Sequence, residues 1–296
     1  MRDQWHQKFF DYLLYEKGCS KNTIVSYQND LNEFFDFLNK KSLKRLDKIT
    51  YSILHQYITE IGESGLKAST IERRVASLKS FFKFLKKNGV IDKNPAGLIS
   101  SPKKDKKLPT VLDPKEIMDL IESIPDTTPL SIRNKTIIVL LYASGIRVSE
   151  ISGLDLSHID FQEGMIRVLG KGRQERDIPI GETARKALIR YLPYRKELEP
   201  LGTVNQALFL TKSGKRIQDR MIRYLLSHYI QQISIQKKVT PHTLRHTFAT
   251  HMLTNGANIR AIQELLGHSS LSTTQIYTHL SINELRQNYL DHHPHA

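Results

Sequence analysis

The segment Thr240-Pro-His-Thr-Leu-Arg-His-Thr247 carries the densest set of side chains able to do chemistry. Thr240 is a good helix N-cap and Pro241 suits a first turn, so a helix is predicted to begin here. His242 and Arg245 are then three apart, on one face of that turn. This sets an imidazole and a guanidinium beside the free N–H groups of a helix N-terminus, a natural site for phosphate. Arginine suits such a clamp because its planar fork can bond two phosphate oxygens. His242, His246 and His251 also permit a metal reading, since 242 and 246 are four apart on a helix. Arg245 between them would oppose a cation.

Further candidates flank this segment. In Ala143-Ser-Gly-Ile-Arg-Val-Ser-Glu150, Gly145 is predicted to end an apolar helix and Arg147 to lie in the turn that follows. Glu150 would orient Arg147 or cap its helix. Lys171 sits between Gly170 and Gly172, at a predicted hairpin tip that could reach into a groove. Gly267 closes a helix running from an Asn258 cap, so His268 is expected to project from a loop. Ser272 would cap a short helix carrying Tyr277. Taken singly, each has an ordinary alternative: a turn arginine or lysine is usually solvated, and a tyrosine usually packs in a core.

The elements that must position these groups fall into two parts. Residues 1–100 read as a helical bundle of about four helices. Ile24, Tyr27, Leu31, Phe34, Phe35 and Leu38 recur at helical spacing after a Ser20 cap. Ile71, Val75, Leu78, Phe82 and Leu85 form a second stripe, with Ser69 as cap and Asn88-Gly89 as stop. These stripes are core. Two prolines then enclose a run of charge with nothing to bury, so 101–110 is predicted to be an extended linker. From 111 to 296 the pattern is mixed. A helix starts at Asp113-Pro114, and an apolar helix runs from about Ile132 to Ala143. Two period-two strands follow, Met165–Leu169 and Arg176–Ile180, joined by Gly170-Lys-Gly172 as a hairpin turn. The rest, to Tyr289, is again largely helical. The predicted class is mainly α with a small β-sheet: an N-terminal helical bundle followed by an α+β domain.

Composition narrows the partners. The chain has 296 residues, 39% of them apolar and 25% charged, in the range of globular proteins. Its longest apolar stretch, Thr136–Ala143, is too short to span a bilayer. The N-terminus lacks the apolar run of a signal peptide. One cysteine, Cys19, excludes an intramolecular disulfide and fits a reducing cytoplasm. Lys and Arg total 44 against 30 acids, for a net charge of +14. Both parts share the surplus: 17 bases and 11 acids up to residue 102, then 27 and 19. Such a balance favours a polyanion, either nucleic acid or an anionic membrane.

In order, the chain holds Arg147, Lys171, His242-Thr-Leu-Arg245, Gly267-His268 and Tyr277. This ordered set resembles the tyrosine site-specific recombinase (phage integrase) family, over essentially the whole length. Gly145-Ile-Arg-Val-Ser-Glu150, Gly170-Lys-Gly172 and Leu265-Leu-Gly-His-Ser-Ser270 are similar to the bacterial Xer subfamily. The ending, from Thr274-Gln-Ile-Tyr-Thr-His279 to His292-His-Pro-His-Ala296, looks closest to the XerD branch. The resemblance implies a SAM-like core-binding domain that clamps DNA, and a catalytic domain ending in a subunit-docking segment. It implies that Arg147 and Arg245 bracket a scissile phosphate and that Tyr277 attacks it, leaving a 3′-phosphotyrosyl intermediate. A free phenol, with a pKa of about 10, is a poor nucleophile at neutral pH. Nearby arginines favour the phenolate, and His242 is placed to take its proton. His268 would bond the phosphate or position Tyr277, and Lys171 would protonate the leaving 5′-oxygen.

A phosphotyrosyl link keeps the energy of the broken bond, so neither ATP nor a metal is expected. The sequence carries no P-loop, no His-Glu-x-x-His signature and no obvious carboxylate cluster for two-metal hydrolysis. The resemblance further implies double-stranded DNA with a dif-like site as partner. It also implies a homo- or hetero-tetramer with a sister Xer recombinase, an FtsK-type translocase, a cytoplasmic, nucleoid-associated location, and resolution of chromosome dimers. A phage, plasmid or integron relative would share the chemistry. A type IB topoisomerase and a catalytically silent DNA-binding protein are the alternatives of other kinds.

Overall fold

Aromatic and aliphatic side chains at helical spacing dictate the first of two units in the computed structural model, which describes residues 2–100, 110–170, 175–200, 202, 204–233, 235–267 and 281–295. The chain divides into Met1–Lys107 and Leu108–Ala296. In the first unit, α1 (Arg2–Asp11) runs into a π-helical turn (Tyr12–Glu16) and is followed by α2 (Lys21–Lys40), α3 (Tyr51–Glu63) and α4 (Ala68–Lys87). Ser20 caps α2 as predicted, its side chain accepting from the Thr23 N–H. The cap of α4 differs from the expectation. The helix begins at Ala68, with Lys67 at the N-cap and no side-chain bond, so Ser69 lies inside its first turn.

Phenylalanine dominates this core. Phe9, Phe34, Phe81 and Phe82 are fully buried, and Phe34 meets Phe82 edge-on with centroids 6.1 Å apart. Between α2 and α4, buried Asp30 accepts a 2.5 Å hydrogen bond from Arg73 Nη1.

The second unit contains α5 (Pro114–Glu122), α6 (Pro129–Ser144), α7 (Val148–Ser152), β1 (Ile159–Asp160), β2 (Met165–Leu169), β3 (Glu175–Pro179), α8 (Glu182–Leu198), α9 (Asp219–Gln232), α10 (Pro241–Thr254), α11 (Ile259–Leu266) and α12 (Ile282–His292). The two predicted strands pair antiparallel, Met165 opposite Pro179 through Leu169 opposite Glu175. Residues 170–174 join them; of these only Gly170 is described, so the predicted Gly170-Lys-Gly172 turn lies almost wholly outside the described residues. The two-residue strand β1 completes the order β1-β2-β3; it is too short to leave a period-two signal. Helix α6 is buried almost all round, from Ser131 to Ser144, as befits a helix apolar on every face. Its Thr128 cap and Pro129 start it, and Gly145 in the left-handed region (φ 58°) ends it. Among the described residues no helix is long and apolar enough to cross a membrane.

Candidate active site

Two glycine-terminated helices and one short strand build the site. A side chain on Gly145 would place its Cβ 2.5 Å from Phe248 Cδ1 and 3.0 Å from Leu266 Cδ2. Only glycine therefore lets the chain leave α6 over α10 and α11 and deliver Arg147 to the N-cap of α7. Gly267 ends α11 in the same left-handed conformation, φ 61°. A Cβ there would sit 3.0 Å from Arg176 Cζ. The turn at Gly145 is thus packed too closely for any other residue, and at Gly267 the left-handed backbone with a guanidinium alongside also favours glycine.

Three arginines converge on the end of α11. Arg176 Nε donates to the Leu265 carbonyl at 3.0 Å, Arg245 Nη2 donates to the Leu266 carbonyl, and Arg147 Nη2 donates to the Gly267 carbonyl at 2.9 Å. Three consecutive carbonyls at the negative end of a helix, with no intrahelical partner among the described residues, each hold one guanidinium. Arg245 Nη1 also donates to the Gly145 carbonyl at 2.6 Å, so the ends of α6 and α11 are stitched by a single side chain. Arg245 is 6% exposed, whereas the Arg147 side chain is 39% exposed. Arg147 is the more open of the pair, and Arg245 its buried support.

One carboxylate balances this charge. Glu150, 6% exposed, accepts at Oε2 from the Arg147 N–H at 2.7 Å and at Oε1 from Arg147 Nη1 at 2.8 Å. It therefore both caps α7 and orients Arg147, joining the two roles the sequence suggested for it. The same oxygens accept from Arg176 Nη1 at 2.9 Å and Nη2 at 3.0 Å, a two-pronged bridge. Burial works to raise the Glu150 carboxyl, but the bonds from Arg176 and Arg147 outweigh it and hold the group below its usual range. Burial and the neighbouring Arg147 together pull the Arg245 guanidinium down to about 10, which leaves it charged at neutral pH. Three guanidiniums against one carboxylate give the cluster two uncompensated positive charges.

His242 occupies the first turn of α10 and is exposed. Thr240 caps this helix as predicted, accepting from the Thr243 N–H at 3.2 Å. His242 and Arg245 nevertheless part company: the guanidinium turns inward to the two carbonyls, while the imidazole faces outward. His242 lines a cleft of about 710 Å³ with Val148, Arg223, Lys237 and Lys238, where Lys237 pairs with Glu116 and Arg223 with Asp219. His251 lies deeper in α10, where its Nδ1 shares a 2.8 Å hydrogen bond with the Tyr142 hydroxyl. Among the described residues no group of three His, Cys, Asp or Glu side chains is arranged to hold a metal. Lys171, His268 and Tyr277 lie outside the described residues, as does nearly all of the predicted 101–110 linker.

Arg176 is the site residue that the sequence alone did not single out. Its signal was present in the strand period. Arg176 pairs with buried Val168, while its neighbour Asp177 pairs with exposed Arg167. An arginine on the inward face of a strand must find carboxylates or carbonyls there.

Two family models match the chain: the phage integrase family over residues 110–284, and the phage integrase N-terminal SAM-like domain over residues 7–89. The tyrosine recombinase XerC of Anoxybacillus flavithermus is 41% identical over 290 residues, 97% of each chain. The tyrosine recombinase XerD of Staphylococcus epidermidis is 38% identical over 290 residues, 98% of each. Both branch names occur among the relatives, and these identities are too close to separate the branches. Among solved structures, the XerH site-specific recombinase bound to difH substrate in a pre-cleavage complex is 26% identical. It superimposes with a TM-score of 0.68, covering 89% of this chain and 78% of that one.

Proposed function

The chain belongs to the phage integrase family, and within it to the Xer tyrosine recombinases, and from that premise we propose that it recombines DNA at a dif-like site through a phosphotyrosyl intermediate. Arg147 and Arg245 hold the non-bridging oxygens of the scissile phosphate. The Tyr277 oxygen attacks phosphorus as His242 takes its proton, and the 5′-oxygen leaves with a proton from Lys171. His268 assists at the phosphate. The 5′-hydroxyl of a second strand then reverses these transfers and reseals the backbone. Charge gathers on the phosphate oxygens in the transition state, so cations fixed in advance are the main resource such a site offers. The observation that carries this reading is the anchoring of Arg147 and Arg245 on adjacent carbonyls at the end of α11.

Residues 1–100 serve as the core-binding domain and 111–296 as the catalytic domain, both gripping double-stranded DNA. The working assembly is a tetramer on two duplexes, homomeric or shared with a sister Xer recombinase, in which the C-terminal segment docks on a neighbour. Its biological task is chromosome-dimer resolution in the cytoplasm under an FtsK-type translocase. Two differently labelled duplexes carrying a dif-like site, incubated with EDTA and without ATP, test the exchange, with and without the sister protein. Hybrid duplexes are the expected product. Relaxed plasmid without hybrids would indicate a topoisomerase, and bound but unchanged DNA a silent binding protein. Attack by Tyr277 is taken to occur within its own subunit; mixed Tyr277→Phe and Arg245→Ala proteins should then stay inactive.

A further inference from the structure

The buried bridge between Arg176 and Glu150 has no place in the steps above, yet it touches Arg147 through Glu150 and the end of α11 through Leu265 and Gly267. Arg176 itself is poorly placed to meet DNA. Its side chain is only 16% exposed, and all three of its guanidinium nitrogens are engaged, two on Glu150 and one on the Leu265 carbonyl. Its guanidinium also lies against the turn at Gly267, the last carbonyl that Arg147 uses.

The electrostatics give it a task. Glu150 must stay hydrogen-bonded to Arg147 to aim it, a hold that an uncharged amide oxygen at the same place can also give, but an unshared carboxylate 2.8 Å from Arg147 Nη1 would also neutralise it. A phosphate would then compete with Glu150 for the same guanidinium. Arg176 removes that competition by occupying both Glu150 oxygens from the far side. Four hydrogen bonds, two on each oxygen, saturate the carboxylate.

We infer that Arg176 is a positioning residue for strand cleavage, which keeps Glu150 as a geometric support for Arg147 while cancelling its charge, so that Arg147 meets the phosphate as a full cation. This rests on the strand-transfer reading above. It acts from the β-hairpin and makes no contact with DNA of its own.

The test reads the single-turnover cleavage rate of a prebound nicked duplex at saturating protein, so that affinity does not enter, with the Kd measured beside it. Arg176→Gln should slow cleavage about 10- to 100-fold, the usual cost of losing a group that orients a catalytic one, and change Kd by less than about threefold. Arg176→Lys, which keeps the charge but not the fork, should lose less. The deciding variant adds Glu150→Gln to Arg176→Gln. With the competing carboxylate gone, the double variant should cleave faster than Arg176→Gln alone; a merely structural role demands a further loss instead. If Arg176→Gln does not fold, Arg176→Lys with and without Glu150→Gln gives the same comparison. A rate for Arg176→Gln within threefold of wild type, a defect confined to Kd, or a double variant no faster than the single would each overturn the inference. A wild type that forms no covalent adduct would instead remove the strand-transfer reading, and this inference with it.

Discussion

At the scale of single residues, the site is a problem of holding like charges together. Arg147, Arg176 and Arg245 coexist because Glu150 and three helix-end carbonyls supply the opposite charge. On the proposed mechanism, removing Arg147 or Arg245 removes a preorganised donor to the phosphate. Arg147→Ala and Arg245→Ala should each lower the rate of covalent adduct formation by about a hundred- to a thousandfold, measured on prebound DNA. Arg245→Ala should also destabilise the unit, because the buried carbonyls of Gly145 and Leu266 lose their donor; Arg147→Ala, more exposed, should do so less. Gly145→Ala combines a left-handed φ with a Cβ driven into Phe248, and should cost about 2–4 kcal/mol in denaturant unfolding. Part of this arginine cluster was legible in the sequence, since Arg147 and Arg245 sit in local motifs whose caps and glycines announce themselves, whereas Lys171, His268 and Tyr277 lie outside the described residues. What was not legible is their mutual geometry. Arg147 meets Gly267 across 120 residues, and Arg176 meets Glu150 across 26. No spacing rule encodes such contacts, which come from the packing of the hairpin and α11 against α7.

At the scale of elements, the helix ends were the best-written features and the short strand the worst. Asp113 and Glu116 form the reciprocal cap that starts α5, just where Asp113-Pro114 predicted it. Asp113→Ala should cost about 0.5–2 kcal/mol. At the other end of the unit, the residues after α12 pack onto its core. His293 stacks on Tyr289, with centroids 5.0 Å apart, and lies near Tyr142 and Phe248. His295 and His251 flank Tyr142 as well. Burial, reinforced by the other two histidines, pushes the His293 imidazole down to about 3, and burial also lowers His251 and His295. A group whose folded pKa is depressed adds stability above its unfolded pKa, about 6.5, and that stability is lost as pH falls towards the folded value. The catalytic unit should therefore lose stability steadily from about pH 6.5 towards pH 5, by about 1.4 kcal/mol per pH unit for each fully neutral histidine. His293→Phe should flatten that slope in thermal melts taken across the same range. An unchanged slope would show that the imidazole titrates freely.

At the scale of the whole molecule, charge was the first clue and remains the broadest. Each unit carries its own positive surplus, and the family model for each is found in its own stretch of chain. Binding to duplex DNA should then be strongly salt-dependent. With 6 to 10 phosphate contacts, affinity should fall about a thousandfold or more between about 50 and 200 mM salt. The most direct test of the central claim, that fixed arginines present a phosphate to Tyr277, is a covalent one. A labelled dif-like duplex carrying a nick beside the cleavage position, so that the released fragment diffuses away, is incubated with the protein in EDTA and without ATP. The mixture is then run on a denaturing gel. The account predicts a labelled protein band that survives detergent, disappears with Tyr277→Phe and becomes scarce with Arg245→Ala. DNA that is bound but never linked, with the sister recombinase present as well, would contradict it.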